Sequence, residues 1–245
     1  MALENPNVSR PHGRPVLKMN WNRLLFAHWR ISPEEIQKTL PRGLEVDVFD
    51  GSAWLAIVPF FMERVHPVGL PPLPWLSWFQ EMNVRTYVRD GQGNPGVWFY
   101  SLVCNQPIAV EGARRLFHLN YVHARMHAYV NVSGTVDYFS RRDEAVTRFR
   151  YAPAGPRTLA APGTLEHFLV ERYTLFSADR QGNLFSGKVF HRPYEVGPAE
   201  LEAWSFVPAQ EDGFPETKRE PDHVLMASAL EVDAWPLESA GLKID

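Results

Sequence analysis

The chain has 245 residues, of which 45% are hydrophobic and 22% are charged. A chain of this length buries roughly 70% of its surface on folding, which supplies one substantial core and excludes a disordered protein. The 25 basic and 28 acidic residues give a net charge of −3, so neither nucleic acid nor an anionic membrane experiences an overall attraction. A single cysteine, Cys104, excludes an intramolecular disulfide and a cysteine-based zinc site.

The first residues contain no recognisable targeting signal. Residues 1–20 include three prolines and no apolar run of signal-peptide length. The longest apolar run, residues 53–62, is about half of a membrane span. We therefore expect a cytoplasmic protein without nucleic-acid or membrane partners, with a flexible arm over residues 1–17 and a single domain over residues 18–245. Composition leaves homo-oligomerisation open.

Hydrophobic patterning predicts strands along most of the chain. A strand-like run covers residues 20–31, and Ser32, Pro33 and Glu35 then mark the start of a short helix. Four hairpins are predicted, around residues 50–51, 90–96, 141–146 and 179–183. Alternating stretches begin at residues 121 and 224, and Thr164 is a candidate cap for a second helix. About ten strands with two or three short helices indicate a β-dominated α+β domain, whose antiparallel sheets curl into a barrel or a sandwich.

Sequence motifs for common chemistries are missing. The chain contains no GxGxxG, GxxxxGK[ST], GxSxG or HExxH motif. His123 and His127 are four residues apart, but on a strand this spacing separates them by more than 10 Å, which is too far to share a metal ion. We therefore predict no metal site and no cofactor.

One alternating stretch places five polar or aromatic side chains on the same strand face: Tyr121, His123, Arg125, His127 and Tyr129. In an ordinary sheet this face is exposed to solvent. In a barrel it can line the interior instead, and the pattern does not distinguish the two arrangements.

Two groups of charged residues are candidates for binding an anion. Glu81, Arg85 and Tyr87 share one strand face, where the carboxylate and the guanidinium either pair with each other or orient a small polar ligand. Arg114 and Arg115 either supply an anion-binding pair or form a solvated basic turn.

Several phrases resemble an uncharacterised bacterial family, domain of unknown function 2071. They are FQEMNVRTYV (79–88), GVWFYSL (96–102), ARRLFHLNY (113–121), TLEHFLVERYTLF (164–176) and GKVFHRPY (187–194). The resemblance extends from about residue 18 to residue 238. That family is similar in turn to the acetoacetate decarboxylase-like superfamily, which implies a β-barrel with a central cavity.

The resemblance also bears on catalysis. Acetoacetate decarboxylases form an imine between a catalytic lysine and the substrate ketone. At the positions of their lysine pair this chain has Tyr121 and Val122, neither of which forms an imine, so classical decarboxylation is disfavoured. Glu81 falls where the decarboxylases have a cavity glutamate. Lys188, on the strand before His191, is the one candidate for a relocated Schiff base; otherwise it is a lysine that reaches solvent.

Three functions follow from these features. In the first, a barrel cavity binds a small carboxylate-bearing molecule through Arg85, Arg114, Arg115, Lys188 and His191. In the second, a lyase-type enzyme acts on an oxo acid, with Glu81 or His123 as general base and Tyr121 as acid. In the third, a filled barrel binds a partner through exposed tryptophans such as Trp75 and Trp78.

Overall fold

The computed structural model of the chain describes residues 9–240, in which four short helices and seventeen strands are formed. The helices are α1 (Pro33–Gln37), α2 (Pro107–Phe117), α3 (Leu165–Val170) and α4 (Val207–Glu211). The first nine strands are β1 (Leu17–Asn22), β2 (Leu25–Ile31), β3 (Leu44–Val46), β4 (Ala53–Pro67), β5 (Phe79–Asp90), β6 (Pro95–Cys104), β7 (Tyr121–His123), β8 (Arg125–Val130) and β9 (Val136–Arg142). The others are β10 (Ala145–Pro153), β11 (Thr158–Leu159), β12 (Thr174–Ala178), β13 (Leu184–Phe190), β14 (Glu195–Ala203), β15 (His223–Ala227), β16 (Leu230–Ala234) and β17 (Glu238–Ser239). The β-dominated α+β prediction is confirmed.

Seven strands close into a ring. The pairings run β1–β4–β5–β6–β12–β13–β16 and return to β1. All are antiparallel except β6–β12, in which Val97 and Trp98 lie opposite Leu175 and Phe176. A closed ring removes exposed sheet edges and encloses an interior that inward-facing side chains line.

A second sheet covers part of the outside of this ring. It consists of β8, β9, β10 and the C-terminal half of β14. A core of large side chains fills the space between the two sheets, including Trp29, Ile57, Tyr138, Phe149 and Phe206. Since this core supports the outer faces of β4 and β5, the inner faces of those two strands are free to line a cavity.

Local sequence signals account for several elements. The Ser32 side chain accepts a hydrogen bond from the Glu35 amide at 3.2 Å, as predicted for the start of α1. The predicted helix after Thr164 is α3, and the hairpins β5–β6, β9–β10 and β12–β13 are confirmed. The long run over residues 20–31 is two strands, because Arg23 has a positive φ of 53° and turns the chain between them.

Two predicted elements differ from the structure. Asp50 and Gly51 both have positive φ and form the expected tight turn, but β3 before it pairs with β5 instead of with β4. Helix α2 was not predicted, and its cap is Gln106, whose side chain accepts from the Ile108 amide at 3.2 Å. No helix among residues 9–240 is long and apolar enough to cross a membrane.

The parallel β6–β12 pairing that closes the ring depends on a glycine. A Cβ at Gly96 would lie 2.6 Å from a ring carbon of Phe176 and 2.7 Å from the Thr174 carbonyl oxygen. We therefore expect Gly96→Ala to lower the free energy of unfolding by about 1–3 kcal/mol. Gly91→Ala, where a Cβ meets nothing within 4 Å, should change it by less than about 0.5 kcal/mol. Equal effects of the two variants in urea unfolding would contradict this role of Gly96.

Candidate functional site

The ring of strands encloses a cavity of about 320 Å³ that all seven of its strands line. Most of the wall is apolar, with contributions from Met19, Phe60, Phe79, Phe99 and Val189. Helix α2 covers one side of it. The polar and charged side chains that reach the cavity are Glu81, Asn83, Arg85, Tyr121, Arg172, Tyr194, Thr174 and His66. The cavity is therefore largely apolar, and three of its polar or ionisable residues lie on β5.

Strand β5 places three of these groups in a row. Successive side chains of a strand point to opposite faces, so Glu81, Asn83 and Arg85 share the inner face, while Met82 and Val84 pack into the core between the sheets. The predicted common face of Glu81 and Arg85 is therefore present. Beside Arg85, the register with β6 shifts by one residue, a bulge of the kind that re-aims side chains near functional sites.

Glu81 is 2% exposed and has one side-chain partner. The Tyr121 hydroxyl donates a hydrogen bond to its Oε2 at 2.9 Å. Burial raises the pKa of Glu81 to about 8, against the smaller opposing effect of the Tyr121 hydrogen bond. Burial, together with the nearby Glu81, raises the pKa of Tyr121 well above its usual range. At neutral pH both groups therefore carry protons.

Helix α2 sets the position of Tyr121. The helix ends at His118, which has a left-handed φ of 47° and turns the chain back towards β7. The Arg114 Nε donates a hydrogen bond to the Tyr121 carbonyl oxygen at 2.6 Å, which ties β7 to the last turn of α2. Arg114 was predicted to bind ligand. It is exposed and does not line the cavity, so the structure places it as a support for Tyr121.

Arg85 brings a positive charge into the cavity. It is 8% exposed, and its Nη2 donates to the Leu169 carbonyl oxygen at 3.3 Å. The guanidinium lies over the rings of Phe26 and Tyr87. Among residues 9–240 no carboxylate is within ion-pair distance of it, and its Nε has no hydrogen-bond partner. The ion pair with Glu81 that was considered from the sequence is not formed.

A second guanidinium at the cavity is neutralised by a carboxylate. Arg172 and Asp47 are both 5% exposed, and their Nη1 and Oδ2 atoms are 2.7 Å apart. Asp47 also binds Arg89 through Oδ1 at 2.8 Å. Burial lowers the pKa of Arg172, and the Asp47 carboxylate counteracts this. Arg172 is not among the residues predicted for the site, since nothing local in the sequence connects it with a partner 125 residues away.

Asn83 was also not predicted as a site residue. It is 5% exposed, lines the cavity between Glu81 and Arg85, and its Oδ1 has no hydrogen-bond partner among the described residues. The alternation along β5 that predicts a common face for Glu81 and Arg85 places Asn83 on the same face, so the sequence contained the signal for this residue.

The remaining predicted site residues do not line the cavity. His123 is exposed, and Lys188 is an exposed residue of β13. Arg115 is exposed as well and pairs with Glu111 one helical turn away, at 2.5 Å. His191 is buried behind the cavity wall, stacked on Tyr173, and burial lowers its pKa to about 4. Their predicted placement around the cavity is wrong. Helix α2 directs Arg115 outward, and His123 is the last residue of β7, after which the chain leaves for the second sheet.

The strand face predicted over residues 121–129 is divided between the cavity and the solvent. Tyr121 is buried in the cavity, whereas the next members of the pattern, His123, Arg125, His127 and Tyr129, are exposed. The chain passes at Ala124 from β7, which pairs with β6 of the ring, to β8 in the second sheet. Beyond Tyr121 the face is therefore a solvent face. Among residues 9–240 no group of three or more His, Cys, Asp or Glu side chains is arranged to hold a metal ion.

Chemically, the cavity combines a cation with a proton donor. Arg85 provides a buried guanidinium that has no carboxylate partner among residues 9–240 and can bind an anion. Protonated Glu81 can donate a hydrogen bond or a proton, while its other oxygen accepts from Tyr121. Cys104, opposite Glu81 on β6, is not poised as a nucleophile, because burial raises the pKa of its thiol to about 12. Of the lysines among residues 9–240, none lines the cavity; Lys243 lies outside the described residues.

Solved structures show that this ring of strands around a cavity is an acetoacetate decarboxylase-like fold. The acetoacetate decarboxylase of Legionella pneumophila matches with a TM-score of 0.64 at 14% identity, over 98% of this chain and 95% of that one. The enduracididine biosynthesis enzyme MppR, complexed with pyruvate, matches with a TM-score of 0.65 at 11% identity, over 95% of this chain and 93% of that one. At these identities the likeness concerns the fold.

The family follows from sequence similarity. The model of domain of unknown function 2071, described as an uncharacterized conserved protein, matches residues 18–231. The chain is 34% identical over 239 residues to the uncharacterized protein YqjF of Bacillus subtilis (strain 168), covering 96% of this chain and 97% of that protein. The chain belongs to the family of domain of unknown function 2071, as its sequence phrases indicated.

Proposed function

We propose that the chain binds a small carboxylate-bearing molecule in the cavity of the ring, with the carboxylate on Arg85. The observation that carries this proposal is a buried guanidinium with an unpaired Nε and no carboxylate partner among residues 9–240. Burying a charge without a counter-ion costs several kcal/mol. An anionic ligand offsets this cost, and a guanidinium matches the geometry of a carboxylate.

The charges around the cavity favour an anion as well. Arg172 is neutralised by Asp47, and Glu81 is protonated at neutral pH. Among residues 9–240, Arg85 is therefore the buried charge at the cavity wall without a counter-ion, and it attracts a ligand with one negative group. The similar fold of MppR complexed with pyruvate provides an example of a small carboxylate bound by a related architecture.

Ligand-induced stabilisation tests this function directly. The panel consists of pyruvate, lactate, acetoacetate and butyrate, each with its uncharged amide. A carboxylate at a hundredfold excess over its Kd should raise the free energy of unfolding by about 2.7 kcal/mol, and the amides should have a much smaller effect. Arg85→Met should weaken the binding of every carboxylate at least tenfold, since charged hydrogen bonds contribute about 1.5–3 kcal/mol.

Arg115→Met is the matched control, because it removes a guanidinium that points away from the cavity on α2. It should leave the stabilisation by ligands unchanged. Stabilisation that survives Arg85→Met, or that disappears with Arg115→Met, would refute the proposed site. Circular dichroism of the free variants establishes that each is folded.

A second candidate function is a lyase-type reaction on an oxo acid. The hydrogen-bonded pair of Glu81 and Tyr121 favours it, because a carboxylic acid with a pKa of about 8 is a suitable general acid at neutral pH. In this candidate Glu81 gives its proton to the carbonyl oxygen of a substrate whose carboxylate binds Arg85. In this candidate the general acid is Glu81 and not Tyr121, which was the acid expected from the sequence. His123 has no catalytic role, since it lies outside the cavity.

The enzyme and the binding protein differ in their response to Glu81→Gln. For an enzyme, we expect consumption of the oxo acid to fall by at least a hundredfold while its binding is retained, and wild-type turnover to decline as pH rises through about 8. The assay follows loss of the oxo acid by proton NMR. Equal consumption by wild type and variant would exclude Glu81 as the acid.

A further inference from the structure

The walls of the cavity are informative about the remainder of the ligand. Beyond the polar group on β5, the lining consists mainly of aliphatic and aromatic side chains from every strand of the ring. Helix α2 adds a stripe of small and apolar residues with helical spacing: Ile108, Ala109, Gly112, Ala113 and Leu116. These residues face the cavity, while Glu111 and Arg115 of the same helix pair outside it.

The cavity is also larger than a short oxo acid needs. Its volume of about 320 Å³ lies at the lower end of the range of roughly 300–1,000 Å³ for pockets that enclose drug-sized ligands. Pyruvate has only six non-hydrogen atoms. With its carboxylate on Arg85, it would leave most of the apolar wall without contacts, and apolar surface left in water contributes nothing to affinity.

The apolar lining continues to the outside of the protein. Ile108 and Leu116 line the cavity, yet they are 53% and 71% exposed. Leu116 and Phe117 also line a second, open cavity of about 390 Å³, together with Phe185 and Leu237. The two cavities thus share one wall, formed by Leu116 and Phe117 at the end of α2. This wall gives the apolar part of a ligand a continuous surface from the cavity inside the ring to the open cavity outside it.

We propose that the ligand is an amphiphilic monocarboxylate, an acid with an extended apolar chain or ring, whose apolar body packs between the ring of strands and helix α2. This inference rests on the proposed function, because Arg85 supplies the anchor for the acid group. One uncompensated guanidinium accounts for one carboxylate, and the apolar walls disfavour a second charge. The structure thereby assigns a specificity role to α2, and in particular to Gly112, where a Cβ would meet nothing within 4 Å.

A homologous series of ligands tests the inference. Straight-chain carboxylates from acetate to decanoate are titrated by calorimetry, with the 1-alkanol of each length as the uncharged counterpart. Each methylene that enters the cavity should tighten binding about fourfold until the cavity is full. The alkanols should bind at least tenfold more weakly than the acids. Arg85→Met should remove this difference between acid and alkanol and retain the gain for each methylene.

Two variants at one position establish where the chain lies. Gly112→Phe directs a ring from α2 into the cavity, so it should shorten the longest chain that still gains affinity by several carbons. Gly112→Ala adds one methyl group and should behave like wild type. A gain for each methylene that is unaffected by Gly112→Phe would mean that the chains bind elsewhere, and it would overturn the inference.

The other outcomes separate the inference from the proposed function. Binding that depends on Arg85 but is independent of chain length would overturn the amphiphilic ligand and leave the carboxylate site intact. Equal binding of acids and alkanols, insensitive to Arg85→Met, would overturn both, since no acid group would be recognised. The inference would also be overturned if every acid in the series bound with a Kd above about 1 mM. The short oxo acids would then test the proposed function alone.

Discussion

Asp47→Asn should lower the free energy of unfolding by about 3–5 kcal/mol, which is a large part of the stability of a domain of this size. The substitution removes the only carboxylate within ion-pair distance of Arg172 among residues 9–240, and both side chains are 5% exposed. It leaves a buried guanidinium without a counter-ion, and half-exposed Arg89 loses its partner as well. Urea unfolding at pH 7 measures the effect.

Two controls accompany this experiment. Glu111→Gln breaks an exposed ion pair with Arg115 on α2 and should change the free energy of unfolding by less than about 0.5 kcal/mol. The double variant Asp47→Asn/Arg172→Met removes both buried charges and should recover much of the lost stability. If Asp47→Asn were as mild as Glu111→Gln, Arg172 would not depend on Asp47, and the charge assignment of the cavity would be wrong.

The free energy of unfolding should also decrease as the pH rises from 7 to 8. Burial raises the pKa of Glu81 to about 8 in the folded state, whereas an exposed glutamate titrates near 4.3. Between these values the folded state holds a proton that the unfolded state has released. The contribution of this proton to the free energy of unfolding is therefore fully present below about pH 4. It decreases by about 1.4 kcal/mol per pH unit as pH rises, and it is lost above about pH 8.

Buried histidines act in the opposite direction at lower pH. Burial lowers the pKa of His28 well below 6.5 and that of His191 to about 4. As pH falls below about 6.5 the unfolded state therefore binds protons that the folded state does not, and the free energy of unfolding decreases. Between pH 7 and 8 the unfolded histidines are mostly neutral, so this range reports mainly on Glu81. Glu81→Gln keeps an acceptor for Tyr121 and cannot ionise, so its stability should vary far less in this range. Parallel pH profiles for wild type and variant would contradict a protonated Glu81.

Much of the site could be predicted from residues that are local in sequence. Alternation along β5 identified Glu81 and Arg85 as neighbours on one face. The face from Tyr121 to Tyr129 was expected to be wholly inside or wholly outside, and the structure divides it, with only Tyr121 at the cavity. Asn83 shares that face and was missed. The family phrases indicated a β-barrel-like fold with a central cavity, and the ring of strands agrees with it.

The rest depends on contacts between distant parts of the chain. Asp47 and Arg172 are 125 residues apart, and the parallel β6–β12 pairing that closes the ring is equally non-local. Helix α2 begins with a glutamine cap and contains Gly112, both weak helix signals, so Arg114 and Arg115 were interpreted without their helix. His123 continues the alternation of Tyr121, but the chain changes sheets directly after it.

The most direct test of carboxylate binding in the cavity is a crystal structure of the chain grown with octanoate. We expect the carboxylate within about 3 Å of the Arg85 guanidinium, which would give this buried charge a counter-ion, and the alkyl chain along α2 beside Gly112. Octanoate bound on the outside at Arg115 or Lys188, or inside with its carboxylate directed away from Arg85, would contradict the proposed site.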